Sequence, residues 1–306
     1  MMIRKLLAAA LLLGVAALAV FWWLTAPAAL SESQRASLAE GDAAAGEAVF
    51  WAGGCGSCHA EKSAKGDAKK LLGGGHRLDT PAGVFVTPNI SPDSETGIGG
   101  WTLDQFANAM WNGVSPAGRH YYPSFPYASY VRMTGEDISN LFAYLQTLEP
   151  VSRASEPHEL PLPLKLHRGI GLWKLAFLDA APVMTGIGED ETLLRGRYLV
   201  EGPGHCGECH TPRTAFGFGG MDKSRWLGGG AAPEGDGKIP NITPHDKGLG
   251  SWSAGDIASY LETGFTPEFD SVGGSMVSVQ ENMARLTKED RAAIATYLKA
   301  IPPVGD

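Results

Sequence analysis

Two short runs, "CGSCH" at Cys55–His59 and "CGECH" at Cys206–His210, hold every cysteine in the chain. Each places a histidine directly after its second cysteine. On a helical turn, positions i, i+3 and i+4 share a face. Two thiols on that face can bond the two vinyl groups of one porphyrin, and the histidine rises beside them toward the iron. C-x-x-C-H is the attachment signature of c-type haem. A zinc site built from two C-x-x-C pairs normally has about 15–20 residues between them, whereas these pairs are separated by well over a hundred. A thioredoxin-like pair needs a βαβ setting, and none surrounds either motif. Two disulfides would leave a histidine at the same offset twice without a reason. The expectation is two covalently bound haem c groups, attached through Cys55, Cys58, Cys206 and Cys209, with His59 and His210 as proximal iron ligands.

The surroundings of the two motifs repeat. "LLGGG" at Leu71 answers "WLGGG" at Trp226, and "TPNISP" at Thr87 answers "IPNITP" at Ile239. "GIGGWTLDQFANAMWNGV" at Gly97 answers "GLGSWSAGDIASYLETGF" at Gly248. "MTGEDISNLFAYLQTLEPV" answers "LTKEDRAAIATYLKAIPPV". The chain is therefore read as a duplicated domain: residues 40–150, a linker over 151–190, and residues 191–304. Each copy predicts a helix leading to its haem motif (Ala43–Trp51, Leu193–Val200). A second helix follows Trp101 or Trp252. A last helix opens at a Thr cap with an acid three residues on, Thr134 with Asp137 and Thr287 with Asp290, which reads as a capping box with Asp in place of Glu. Strand signals are scarce, "GVFVT" at Gly83–Thr87 being the exception. The class expected is mainly α.

Residues 1–30 stand apart. Leu6–Leu24 is an uncharged, mostly apolar run preceded by Arg4 and Lys5, about 28 Å of helix at ~1.5 Å per residue. Trp22 and Trp23 sit where an interfacial belt would be. The reading taken is a transmembrane anchor in a bacterial inner membrane, with the later domains in the periplasm. The alternative is a cleaved signal peptide and a soluble periplasmic protein. The formal charge is −8; this segment holds Arg4 and Lys5 and no acid, so the rest of the chain is more negative still, which argues against a nucleic-acid partner. The linker begins rich in proline. Its "LHRGIGLWKLAFL", with Ile170, Trp173, Leu175 and Phe177, is expected to pack across a domain interface rather than lie on a membrane surface.

The C-x-x-C-H helices, the "PNI-(S/T)-P" loops, the "G-(I/L)-G-x-W" turns and the "PP-V" ending resemble the c-type cytochrome subunits of bacterial membrane-bound alcohol, gluconate and sorbitol dehydrogenases. "YYPSFPYASYVRMT" and "GGSMVSV" add to the likeness, which spans nearly all of residues 40–304. Those subunits usually carry three haems and this chain has two motifs, so it also resembles free-standing, anchored two-haem cytochromes. The resemblance implies two tandem class I cytochrome c-like domains behind the N-terminal helix, and a methionine as sixth iron ligand in each. The family carries that ligand in a G-G-S-M loop, which implies Met276. Met283, in "NMARL", and Met221 read as packing residues. In the first copy, related cytochromes often have methionine where Phe125 stands. Met133, Met110 and His120 remain, with Met133 preferred because Met110 falls on an apolar helical stripe. Open coordination is the further alternative. Asn89, Asn241, Trp101 and Trp252 occupy matched loop positions, either near haem propionates or as turn and packing residues.

Methionine opposite histidine raises a haem's potential and suits an electron carrier. The function expected is respiratory electron transfer by a non-enzymatic subunit or shuttle. Its electrons come from a periplasmic or membrane-bound dehydrogenase and go to a quinone, a cytochrome or an oxidase. The alternative is a two-haem redox enzyme, such as a peroxidase, with an open site at the first haem.

Overall fold

Helix starts are set by side-chain caps at the positions where the sequence offers them. The computed structural model describes residues 1–214, 219–232 and 237–305. Helix α1, Met2–Leu24, has no buried residue and is long and apolar enough to cross a membrane. A short α2, Glu32–Ala36, follows. The first copy then holds α3 (Ala43–Ala52), α4 (Cys55–His59), the antiparallel pair β1 (Arg77–Thr80) and β2 (Gly83–Val86), α5 (Leu103–Asn112), α6 (Tyr127–Tyr130) and α7 (Gly135–Leu145). Helix α8, Ile170–Phe177, lies between the copies. The second copy holds α9 (Glu191–Glu201), α10 (Gly207–His210), β3 (Gly230–Ala231) with β4 (Lys238–Ile239), α11 (Ala254–Thr263), α12 (Met276–Met283) and α13 (Lys288–Ala300). The mainly helical architecture expected from the sequence is present.

Asp42 and Asp190 cap α3 and α9, Thr102 and Ser253 form capping boxes on α5 and α11, and Thr134 and Thr287 cap α7 and α13. Each cap satisfies backbone amides that the first turn leaves without partners. The boxes expected at α7 and α13 are only half formed, because the acids have other partners. Asp137 accepts from the Tyr198 hydroxyl, and Asp290 pairs with Arg195 at 2.7 Å. Gly113 and Gly264 end α5 and α11 with positive φ, a conformation that costs other residues a steric penalty.

In each copy the first helix crosses the last at a glycine. A Cβ on Gly46 would lie 2.0 Å from the Asn140 carbonyl oxygen, and one on Gly196 would lie 2.0 Å from that of Ala293. Backbone touches backbone at both crossings, with Tyr144 and Tyr297 packed beside them. Gly46→Ala or Gly196→Ala is expected to cost about 1–3 kcal/mol through forced separation of the helices, read as a lowered denaturant midpoint. An unchanged midpoint would show that the crossings tolerate a wider spacing.

One apolar core runs through both copies, including Phe50, Trp51, Met110, Met133 and Leu141 in the first and Val200, Trp226, Leu261 and Ile294 in the second. The linker does not act as a free spacer. Val151 and Arg153 offer carbonyls to Asn89, and Glu159 bridges to Val84. Helix α8 touches both copies through its inner face: Trp173 stacks edge-on against Tyr127 at 6.0 Å, and Phe177 lies against Gly220. The packing expected of this segment is found on that face, while Leu172 and Leu175 are exposed.

Candidate haem sites at the duplicated motifs

The turn entering each motif requires a left-handed residue. Gly54 supplies it before α4 with φ 58°, and His205 supplies it before Cys206 with φ 39°. Histidine in that region is strained relative to glycine. What holds it there is contact with the other copy: His205 Nε2 donates to the Gly53 carbonyl at 3.2 Å, and its ring meets Tyr130 at 5.6 Å. None of the four cysteines is disulfide-bonded. Burial pushes the Cys55 and Cys206 thiols up to about 12, a low-polarity setting that suits the uncharged thioether a bound haem would make of each.

His59 and His210 are positioned identically. Nδ1 of His59 donates to the Pro88 carbonyl at 2.8 Å, and Nδ1 of His210 donates to the Pro240 carbonyl at 2.8 Å. Burial pulls both imidazoles below the ordinary value, so each is neutral. With Nδ1 committed as donor, the lone pair lies on Nε2, as a metal-ligating histidine requires. The acceptor carbonyls belong to the repeated P-N-I loops. Each loop is held beside its motif by matched bonds: Gly74 N to His59 O and Gly229 N to His210 O, Ile90 N to Leu72 O and Ile242 N to Leu227 O. The repeated tripeptide was the visible signal for these partners, although a backbone carbonyl leaves no residue type to read.

Asn89 and Asn241 shape these loops. Asn89 donates to Thr96, Val151 and Arg153 and accepts from Ser91 N. Asn241 donates to the Val304 carbonyl and accepts from Thr243. Their amides are thus spent tying each loop to the end of its own copy, which accounts for the "PNI" and "PP-V" signatures occurring together. Trp101 and Trp252 are partly buried against the core.

Met276 is the first residue of α12, half-buried against the core, while Met283 is buried within it. Met221 lies against Gly207 in the second motif, and Met110 is core. Met133 is 5% exposed, and its carbonyl accepts the Trp111 indole N–H at 3.0 Å. Counting from the matched threonine caps, its counterpart is Leu286, also core. Tyr130, one turn earlier, lies beside the first motif: burial pushes its phenol far up, and Cys55 and Cys58 add to the shift. His120 has both ring nitrogens engaged, Nε2 with the Thr25 carbonyl at 3.0 Å and Nδ1 with Lys174 Nζ at 3.1 Å. Neither nitrogen is left over for a metal. Not all of the aromatic stretch between His120 and Met133 turns toward the first motif. Tyr122 belongs to a separate small cluster with Phe85, Leu160 and Ile170 under the linker.

The sequence reading also passed over His76. Both of its ring nitrogens are buried without a hydrogen-bond partner, and its proximity lowers the His59 pKa further. Its counterpart, counting from the matched glycines Gly74 and Gly229, is Ala231. An imidazole whose two nitrogens are buried and unused beside the first motif fits a pocket that receives an anionic group, such as a haem propionate.

Each motif touches the opposite copy across the seam between them. Ser57, inside the first motif, contacts Ser278 Oγ at 2.8 Å and accepts from Asn282 at 2.7 Å. Glu208, inside the second, accepts from Ser129 at 2.9 Å. Lys69, 3% exposed, pairs with Glu281 at 2.7 Å and donates to Ser278 and Asn282.

Residues 43–149 match the cytochrome c family. A "Diheme cytochrome c-type" protein of Cereibacter sphaeroides is 51% identical over 302 residues, 98% of this chain and 99% of that one. The fructose dehydrogenase cytochrome subunit of Gluconobacter japonicus is 36% identical over 81% of this chain and 50% of its own length. The gluconate 2-dehydrogenase cytochrome c subunit of Pantoea cypripedii is 35% identical over 84% of this chain and 58% of its own length. The chain therefore spans about half the length of those dehydrogenase subunits and nearly all of the two-haem relative. With a duplicated C-x-x-C-H motif and a full-length two-haem relative, the chain belongs to the cytochrome c family and carries two covalently bound haem c groups.

Proposed function

We propose that this protein is an anchored periplasmic electron carrier, accepting electrons from a dehydrogenase and delivering them to a quinone, cytochrome or oxidase of the respiratory chain. The observation that carries the reading is the matched pair of histidines, each neutral, with Nδ1 held by a proline carbonyl and Nε2 left to ligate. In this reading Cys55 and Cys58 hold one haem and Cys206 and Cys209 the other, with His59 and His210 as proximal ligands. Met276 and Met133 are the proposed sixth ligands. When bound, each haem supplies a one-electron iron couple. The chain's own part is to fix the proximal imidazoles and hold the two attachment turns together. The dehydrogenase donor is supported by the relatives that are cytochrome subunits of fructose and gluconate dehydrogenases.

Spectroscopy and redox titration of the purified protein test this. Both haems should be low-spin at rest, with two one-electron steps and no peroxide turnover. A resting high-spin haem that binds carbon monoxide, together with peroxidase activity, would instead establish the enzymatic alternative with an open first site.

A further inference from the structure

The segment from Pro161 to Leu178 presents two faces of different character. Its inner face is used: Ile170 is buried, Trp173 meets Tyr127, and Lys174 donates to the carbonyls of Asn112 and Gly113 at 2.6 and 2.7 Å. Its outer face carries four large apolar side chains, Leu162, Leu166, Leu172 and Leu175, exposed by 80, 71, 48 and 61%. The charged and titratable residues of this stretch are Lys165, His167, Arg168 and Lys174, and it contains no acid, in a chain of net charge −8.

The same segment grips the outgoing end of α1. Arg168 donates from Nη2 to the Trp22 carbonyl and from Nε to Thr25 Oγ1 at 3.0 Å, and its guanidinium stacks 4.1 Å from the Trp22 ring. Gly171 approaches Thr25 so closely that a Cβ would lie 2.7 Å from the Thr25 Cα. Thr25 is fully buried, and its carbonyl is held by His120. A segment clamped to the last turn of a membrane-spanning helix sits at the height of the lipid headgroups.

We propose that residues 161–178 lie in the headgroup layer of the bilayer crossed by α1, with Leu162, Leu166, Leu172 and Leu175 facing the acyl chains and the exposed Lys165 facing anionic phospholipid. The inference rests on the anchor reading of α1 and adds a second, parallel contact to it. Exposed leucines beside basic residues and no acids are the composition that binds a bilayer surface, and continuity with α1 selects lipid over a protein partner. One helix alone would leave the haem domains free to swivel. The added contact fixes which face of them looks away from the membrane.

The test uses the full haem-loaded chain in nanodiscs of phosphatidylethanolamine and phosphatidylglycerol. Nitroxide labels are placed on Leu162→Cys, Leu166→Cys, Leu172→Cys and Leu175→Cys, one at a time. Val15→Cys in α1 and Lys288→Cys at the exposed start of α13 serve as references. Collision of each label with oxygen and with an aqueous nickel chelate is measured. The four leucine sites should favour oxygen, as Val15 does, and reverse the preference at Lys288. Leucine labels that behave like Lys288 while Val15 remains oxygen-rich would overturn the proposal and leave the anchor standing. Labels shielded from both reagents would mark a protein contact and overturn it as well. An aqueous Val15 would remove the anchor reading itself.

Discussion

Met276→Ala should abolish the sulfur-to-iron charge-transfer absorption of one haem, about half of the total if both haems are methionine-bound, and lower that haem's reduction potential while leaving the other unmoved. Loss of a thioether that stabilises the reduced iron produces this asymmetric result. Met283→Ala provides the contrast. Met283 is 5% exposed in the core, so its truncation should cost about 2–5 kcal/mol of stability with both spectra intact. Met133→Ala applies the same test to the first copy, where the matched residue is Leu286 and the duplication supplies no ligand of its own. If Met133 binds iron, the variant loses the remaining charge-transfer absorption. If it only packs, the variant is destabilised and the absorption persists. Retention of the full absorption in Met276→Ala would dismiss that assignment.

Glu201→Ala should destabilise the second copy by about 2–4 kcal/mol, because a buried carboxylate that satisfies several donors is removed and the donors stay. Glu201 is 2% exposed and accepts from Val183 N at 2.6 Å, Met184 N at 2.9 Å and the Tyr297 hydroxyl at 2.7 Å. Tyr297 in turn accepts from the Trp226 indole at 3.0 Å, so the side chain ends a chain of three buried groups. Counted from the crossing glycines, Glu201 stands where the first copy has Trp51, and the change should therefore leave the first copy intact. Thermal unfolding followed separately at the two haems measures this. Equal loss in both copies would mean that they unfold as a single unit, and no loss would mean that water replaces the carboxylate.

What could be read from the sequence was local or duplicated. The C-x-x-C-H spacing, the caps Thr134 and Thr287 and the glycine-ended α5 and α11 each depend on a few adjacent residues. The repeat then lets one copy check the other. What could not be read depended on distant partners. Asp137 and Asp290 look like box residues until Tyr198 and Arg195 come within reach. The stretch from His120 to Met133 offers two candidate ligands for the first haem in sequence, but His120 is claimed by Thr25 and Lys174, and Tyr122 by the cluster under the linker. His205 precedes its motif in a position where glycine is the natural choice, and only the other copy's Gly53 and Tyr130 account for it. The sixth ligand of the first haem falls between these cases, since Met133 and its counterpart Leu286 both occupy a core register.

The seam at His205 has a kinetic meaning. Each attachment turn leans on the opposite copy, through His205 on Gly53, Ser57 on Ser278 and Asn282, and Ser129 on Glu208. The copies cannot be tilted apart without dragging both cofactor anchors along. With a haem on each anchor, transfer between the two would be a first-order event, indifferent to protein concentration. Exchange with a separate, diffusing partner would instead respond to dilution and to salt.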